Sequence, residues 1–345
     1  MKGTILVGTA GQGILRSVDD GATWHRLGLK EAIEFDGTVR ALAVDPSDPT
    51  RVLAGADAGI CLSTDGGAHF QRVESPANGQ TIWALAYDPN NPKTVFAGTG
   101  APSRGRMFRS TDGGDTWTDL GVELPEFCKG VNRPRILSIC ISPVNGREVW
   151  FGVEEGGAWR SLDGGDTWTR IDTPESGISN SDIHAVAVLP PAGDAPAKHL
   201  VLTVNSVFES TDDGRTWTGA ASKDRFDAMY YTRTVQVVSK DGANLLLAIG
   251  DGTPGTRTGI YRSDDRGATW TRALLHTAPN STVWAFGAHA ADPALLFAGT
   301  KYGHLLRSTD GGRTWFKEWR EFSEITAVAW TPFTAPVTAH PQSIT

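Results

Sequence analysis

Apolar and β-branched residues fall along this chain in short runs bounded by Gly, Pro, Asn and Asp, a pattern that spells strands rather than helices. One stretch sets the type: Thr38–Asp45, Arg51–Ala56, Gly59–Ser63 and His69–Val73 read as four successive strands. Prolines at 46 and 49 close the first of them, and prolines at 89 and 92 do the same one unit later, because proline has no amide to donate and presets a turn. Between the third and fourth runs stands an eight-residue phrase, Ser-x-Asp-x-Gly-x-Thr-Trp. It is complete from Ser17, Ser110, Ser161, Ser210, Ser263 and Ser308, and worn at Ser63, where His69 and Phe70 replace Thr and Trp. The seven serines lie 46, 47, 51, 49, 53 and 45 residues apart.

Such a period marks one supersecondary unit repeated throughout. A lone four-stranded sheet buries too little, so neighbouring sheets must stack face to face, and a ring of them is a propeller. The chain opens on second-strand sequence, Gly3–Gly8, followed by Gly13–Ser17 and Thr23–Leu27; the missing innermost strand stands far downstream at Ile325–Thr331. The expected fold is therefore all-β: one seven-bladed β-propeller over residues 1–331, its last blade closed by one C-terminal strand on three N-terminal ones. Residues 332–345 read as a C-terminal tail.

The repeated phrase resembles the Asp-box, or BNR, repeat of sialidases, xyloglucanase-type hydrolases, sortilin-type receptors and photosystem II assembly-factor propellers. The resemblance covers the whole chain. It implies a propeller with the boxes on the blade periphery, away from the ligand face, and it does not select among these functions. A sialidase would add an Arg-Ile-Pro motif and usually six blades, and the chain has neither.

Composition narrows the picture in three ways. A formal charge of −7 argues against a general nucleic-acid binder, and no segment is long and apolar enough to span a membrane. Three cysteines, Cys61, Cys128 and Cys140, have no metal-type spacing and leave an odd number for disulfides. Met1-Lys2-Gly3-Thr4 runs straight into strand sequence without a secretory leader, which gives a cytoplasmic expectation.

Chemistry is expected at the axial funnel opposite the boxes. Aligned on their apolar alternation, the innermost strands carry Arg40, Trp83, Leu137, His184, Arg233, Trp284 and Thr326 in their second column. A column chosen only for packing would be uniformly small or aliphatic. Guanidiniums, an imidazole and indoles around one mouth suit a small anionic ligand, aromatic or a sugar acid. Arg40, Trp83, Arg233 and Trp284, with Arg135, Lys301, Tyr302 and His304 from the loops, are the candidate binding residues; His184, Tyr230, Tyr231, Asp57 and Glu154 are the candidates for moving protons in a lyase or hydrolase. No cofactor is expected; a divalent metal would require His184 and His304 to converge with a carboxylate. Cys128, flanked by Lys129 and Arg133, is a nucleophile only if those cations lower its pKa. The alternative is a non-catalytic scaffold that grips an acidic protein partner on the same basic face.

Overall fold

The computed structural model describes residues 3–28 and 37–333. Seven antiparallel sheets form a ring, and Ile325–Pro332 pairs along Gly3–Thr9 to complete the seventh. Blade one comprises Val39–Val44, Val52–Ala56, Gly59–Ser63 and Gln71–Arg72, close to the expected strands except that the outermost is shorter. Blades two to six begin on Ile82–Tyr87, Arg135–Ile141, Ile183–Leu189, Tyr231–Val237 and Val283–Gly287. From residue 334 onward the expected tail lies outside the described residues.

Each second strand is buried on both faces, as at Val52–Ala56 and Val95–Thr99, and therefore reads as a continuous apolar run rather than an alternating one. Among the described residues the buried apolar side chains form seven clusters, one in each gap between blades. The stability of the ring thus resides between sheets rather than within them.

The eight-residue phrase forms the turn between third and fourth strands. In blade four Ser210 donates to Asp212 at 2.8 Å, Gly214 N–H to Ser210 Oγ at 3.0 Å, and the Thr216 amide and hydroxyl to the two Asp212 oxygens at 3.0 and 2.7 Å. Trp217 Nε1–H then closes on Gly214 O at 3.1 Å. The worn copy keeps the scheme with His69 Nδ1 on Asp65 at 2.6 Å and Phe70 buried in place of the indole. Box glycines sit at positive φ and against the preceding blade: at Gly165, φ 98°, a Cβ would meet Phe96 at 2.9 Å.

In four blades an arginine directly before the box serine latches the blade to the next. Arg109 donates to Gly164 O, Arg160 to Asp213 O, Arg262 to Gly311 O and Arg307 to Asp20 O, at 2.6–2.9 Å. Blade six departs from the repeat: its outermost strand runs over Thr314–Glu321, and Leu274–Leu275 adds a fifth, parallel strand.

Candidate functional site

All seven innermost strands carry a β-bulge at the same place. In blade one Val39 faces Ala56 and Ala41 faces Gly55, leaving Arg40 without a partner across the ladder. The same slip leaves out Trp83, Leu137, His184, Arg233, Trp284 and Thr326 in the other six. A bulge turns its extra side chain out of the ladder direction, and here all seven turn toward the axis. Opposite the bulge stands glycine in five blades, Gly8, Gly55, Gly98, Gly152 and Gly299. A Cβ would lie 2.7 Å from Ile82 at Gly55, 2.5 Å from Ile136 at Gly98, 2.6 Å from Ile183 at Gly152 and 2.3 Å from Ile325 at Gly299. Glycine therefore lets the next innermost strand press in, which narrows the hub.

The seven bulge residues line one cavity of about 260 Å³, with Lys301 and Glu324 at its wall. Leu42, Gln236, Phe286 and Val328 form its floor and are also the roof of a second cavity of about 240 Å³ toward the box side. The axial channel is thus a polar funnel above a collar that is apolar except for Gln236.

Two cation–indole stacks dominate the funnel. The Arg233 guanidinium carbon lies 3.7 Å and Lys301 Nζ 4.4 Å from the Trp284 ring centroid. Arg40 lies 4.2 Å and Arg135 5.0 Å from that of Trp83, whose Nε1 donates to Ala101 O at 2.8 Å. Arg40 approaches Asp57 at 3.4 Å, Arg135 holds Glu154 at 2.7 Å, and Lys301 contacts Glu324. Arg233 differs from these three. It is 8% exposed and makes no ion pair among the described residues; its Nε has no hydrogen-bond partner, which is equally true of Arg40 and Arg135. Burial draws its pKa below the ordinary arginine value, against the opposing pull of Tyr231, Glu154 and Asp182.

His184, 3% exposed, donates through Nδ1 to Thr232 O at 2.6 Å and faces Asp182 through Nε2 at 3.4 Å. Its ring meets Tyr231 edge-on at 5.2 Å. Burial raises the Tyr231 pKa although Arg233 opposes it, so the phenol is a proton or hydrogen-bond donor rather than a ready nucleophile.

The structure therefore brings Arg40, Trp83, His184, Arg233, Trp284 and Lys301 to the funnel wall, with Arg135, Glu154 and Tyr231 beside Arg233. Asp57 stays at the rim, accepting from the Thr38 amide. Three expected residues do not reach the funnel wall. Tyr230 and Tyr302 are exposed, and His304 lies 3.5 Å from Glu321 of its own blade's outermost strand. A metal shared by His184 and His304 has no geometric basis, because the strand alternation turns His304 outward. Cys128 is no activated thiol: burial and a hydrogen bond with Glu155 push its pKa up. Asp36, one conceivable partner for Arg40, lies outside the described residues.

The loop cations are largely neutralised. Arg104 pairs with Glu126 at 2.8 Å, Arg106 with Asp119 at 2.8 Å and Arg257 with Asp251 at 3.5 Å. The sequence reading missed Asp182 and Glu324. A signal for both existed: they stand two residues before the bulge column, where alternation returns side chains to the same face, as do Arg135 and Tyr231.

Ring, bulges and funnel define a seven-bladed propeller with a single polar axial site. No family model matches the chain. It is 28% identical over 254 residues to a xyloglucanase of Hypocrea jecorina, a match that takes in 63% of this chain and 29% of the relative, so it spans under a third of that protein. A protein from Lactobacillus plantarum shares the fold over 96% of this chain and 99% of its own, with 15% identity and a TM-score of 0.65. YCF48 in a structure bound to D1 peptide shares it over 81% and 83%, with 15% identity and a TM-score of 0.51.

Proposed function

We propose that the axial funnel binds a small ligand through a carboxylate, a sugar acid or an aromatic acid, and that the protein hydrolyses it. The observation that carries the binding half is Arg233. Burying a guanidinium with no carboxylate in ion-pair contact costs several kcal/mol by desolvation, of which stacking on Trp284 returns about 2 kcal/mol. A ligand carboxylate would supply the missing partner, and the Trp284 and Trp83 faces would cover its body. Arg40, Arg135 and Lys301 already have carboxylate partners and Asp182 stands near Arg233, so the funnel lacks the surplus of positive charge that a phosphate dianion would need, which favours a monoanion.

The hydrolytic half is supported by the likeness to a xyloglucanase and by the groups that can move protons beside Arg233: Tyr231, His184, Glu154 and Asp182. Nothing in the comparisons favours a lyase. The scaffold reading, with an acidic protein partner, draws on the YCF48–D1 peptide structure, but it needs free cations across a broad face, and Arg104, Arg106 and Arg257 are engaged.

Thermal-shift titration with uronic, aldonic and aromatic acids tests the binding half. Wild type should be stabilised by at least one of them and Arg233→Met by none; a wild type indifferent to every acid removes the proposal. Release of 4-nitrophenol from 4-nitrophenyl glycosides of uronic acids, or from 4-nitrophenyl esters where the binding acid has no anomeric carbon, tests hydrolysis.

A further inference from the structure

Glu154, Asp182 and His184 reach one point from two segments of chain. Glu154 ends the second strand of blade three, Asp182 stands in the loop before blade four, and His184 is the bulge residue of blade four. One ligand-type atom from each lies within 4.8 Å of the others. Proximity of acids alone would mean little, but three separate features of the cluster are unusual.

The first is the tautomer of His184. Thr232 O can only accept, so Nδ1 carries the hydrogen, and in a neutral ring Nε2 then presents its lone pair to the cluster. A histidine whose second nitrogen is tied to a backbone carbonyl is oriented as metal-binding histidines are. The second is what that lone pair meets. At 3.4 Å it faces Asp182 Oδ1, a buried oxygen with no hydrogen-bond partner. A lone pair opposed to a carboxylate oxygen is repulsive, and either a second proton on the ring or a metal ion between the two would relieve it. The third is Glu154: Arg135 occupies Oε2 at 2.7 Å, which fixes the carboxylate and leaves Oε1 available.

We infer that Glu154, Asp182 and His184 form a divalent-cation site at the edge of the funnel, where His184 lines its wall. Two carboxylates and one imidazole suit a borderline ion, Zn²⁺ or Mn²⁺, better than Ca²⁺, which takes six or more oxygens. The site is half-built from protein, with room for water or ligand oxygen at the remaining positions. Arg135 and Arg233 stand beside it and limit it to a single ion by repulsion. Such an ion would sit next to Arg233, so a ligand carboxylate would meet two positive centres instead of one. The inference does not depend on that ligand: the cluster stands whether or not the funnel binds an acid.

The test is calorimetric titration of chelator-treated full-length protein with ZnCl₂, MnCl₂, MgCl₂ and CaCl₂ in the absence of any acid. Zn²⁺ or Mn²⁺ should bind at one equivalent, with Asp182→Asn and His184→Gln each weakening binding at least about tenfold. His304→Gln, whose imidazole lies elsewhere, should bind as wild type does. Both site variants must melt within a few degrees of wild type; should His184→Gln not fold, Asp182→Asn and Glu154→Gln decide. Absence of stoichiometric binding overturns the inference, as does binding that the site variants leave unchanged. Failure here with a surviving acid-dependent thermal shift would leave the anion site standing without its cation.

Discussion

The box ring at the periphery and the bulge ring at the hub are both built seven times, yet they vary in opposite ways. At the periphery the residues repeat along with the backbone: Ser, Asp, Gly and Thr make the same bonds in blade after blade, and even His69 stands in for threonine without changing the scheme. At the hub only the backbone repeats. The bulge recurs in every innermost strand, but its residue is arginine, tryptophan, leucine, histidine or threonine. Where geometry alone is needed the residue is fixed. Where a shared geometry displays chemistry the residue is free to differ, and that freedom marks the site.

The comparison breaks most severely at a position that serves the backbone of the hub. Gly299→Val would drive a side chain into Ile325, which a bare Cβ already meets at 2.3 Å, in the blade that closes the ring. A loss of about 3 kcal/mol or more is expected, read as a lower urea midpoint. Arg233→Met should do the reverse of a usual core substitution. Removing an unpaired buried charge leaves the melting temperature unchanged or higher, while acid binding falls roughly 30-fold, about 2 kcal/mol.

The box ring can be probed through pH. Burial works against the Asp310 charge, but bonds from Thr314, Ser308 and the Arg313 amide outweigh it and push the pKa down to about 2. A carboxylate depressed in the folded state stabilises above its unfolded pKa and ceases to do so as pH falls through the folded one. All seven box aspartates are depressed, so melting temperature should fall between about pH 4 and about pH 2. Asp310→Asn should cost about 1 kcal/mol at neutral pH and make that acid slope shallower; an unchanged slope would remove the boxes as its source. The smallest effect is expected from Trp284→Leu, which loses the stack under Arg233 and should weaken acid binding by about 1 kcal/mol with little change in stability.

The fold was legible because its signals are local and redundant. Turn chemistry recurs at each box, and the displaced innermost strand at Ile325 is visible as a missing first run before Gly3. The hub column was legible too, because period-two alternation places one residue per strand on the axis. What the residue types did not reveal is which charges cancel. Arg104 and Arg233 look alike as letters, but one pairs with Glu126 and the other makes no ion pair among the described residues, a matter of side-chain direction. His304 and Lys301 are three residues apart on one hairpin and face opposite ways for the same reason. The bulges left a subtler trace, the glycine in the middle of a buried apolar run, as in Val95–Thr99. A one-residue slip cannot be read without knowing what presses against that glycine.

The clasp between Gly3–Thr9 and Ile325–Pro332 also governs how the molecule is made and unmade. A ribosome releases the second of these strands long after the first, so six blades can assemble on the nascent chain while the seventh waits as an open edge. Peeling away either strand of the clasp leaves the same blade with an open edge.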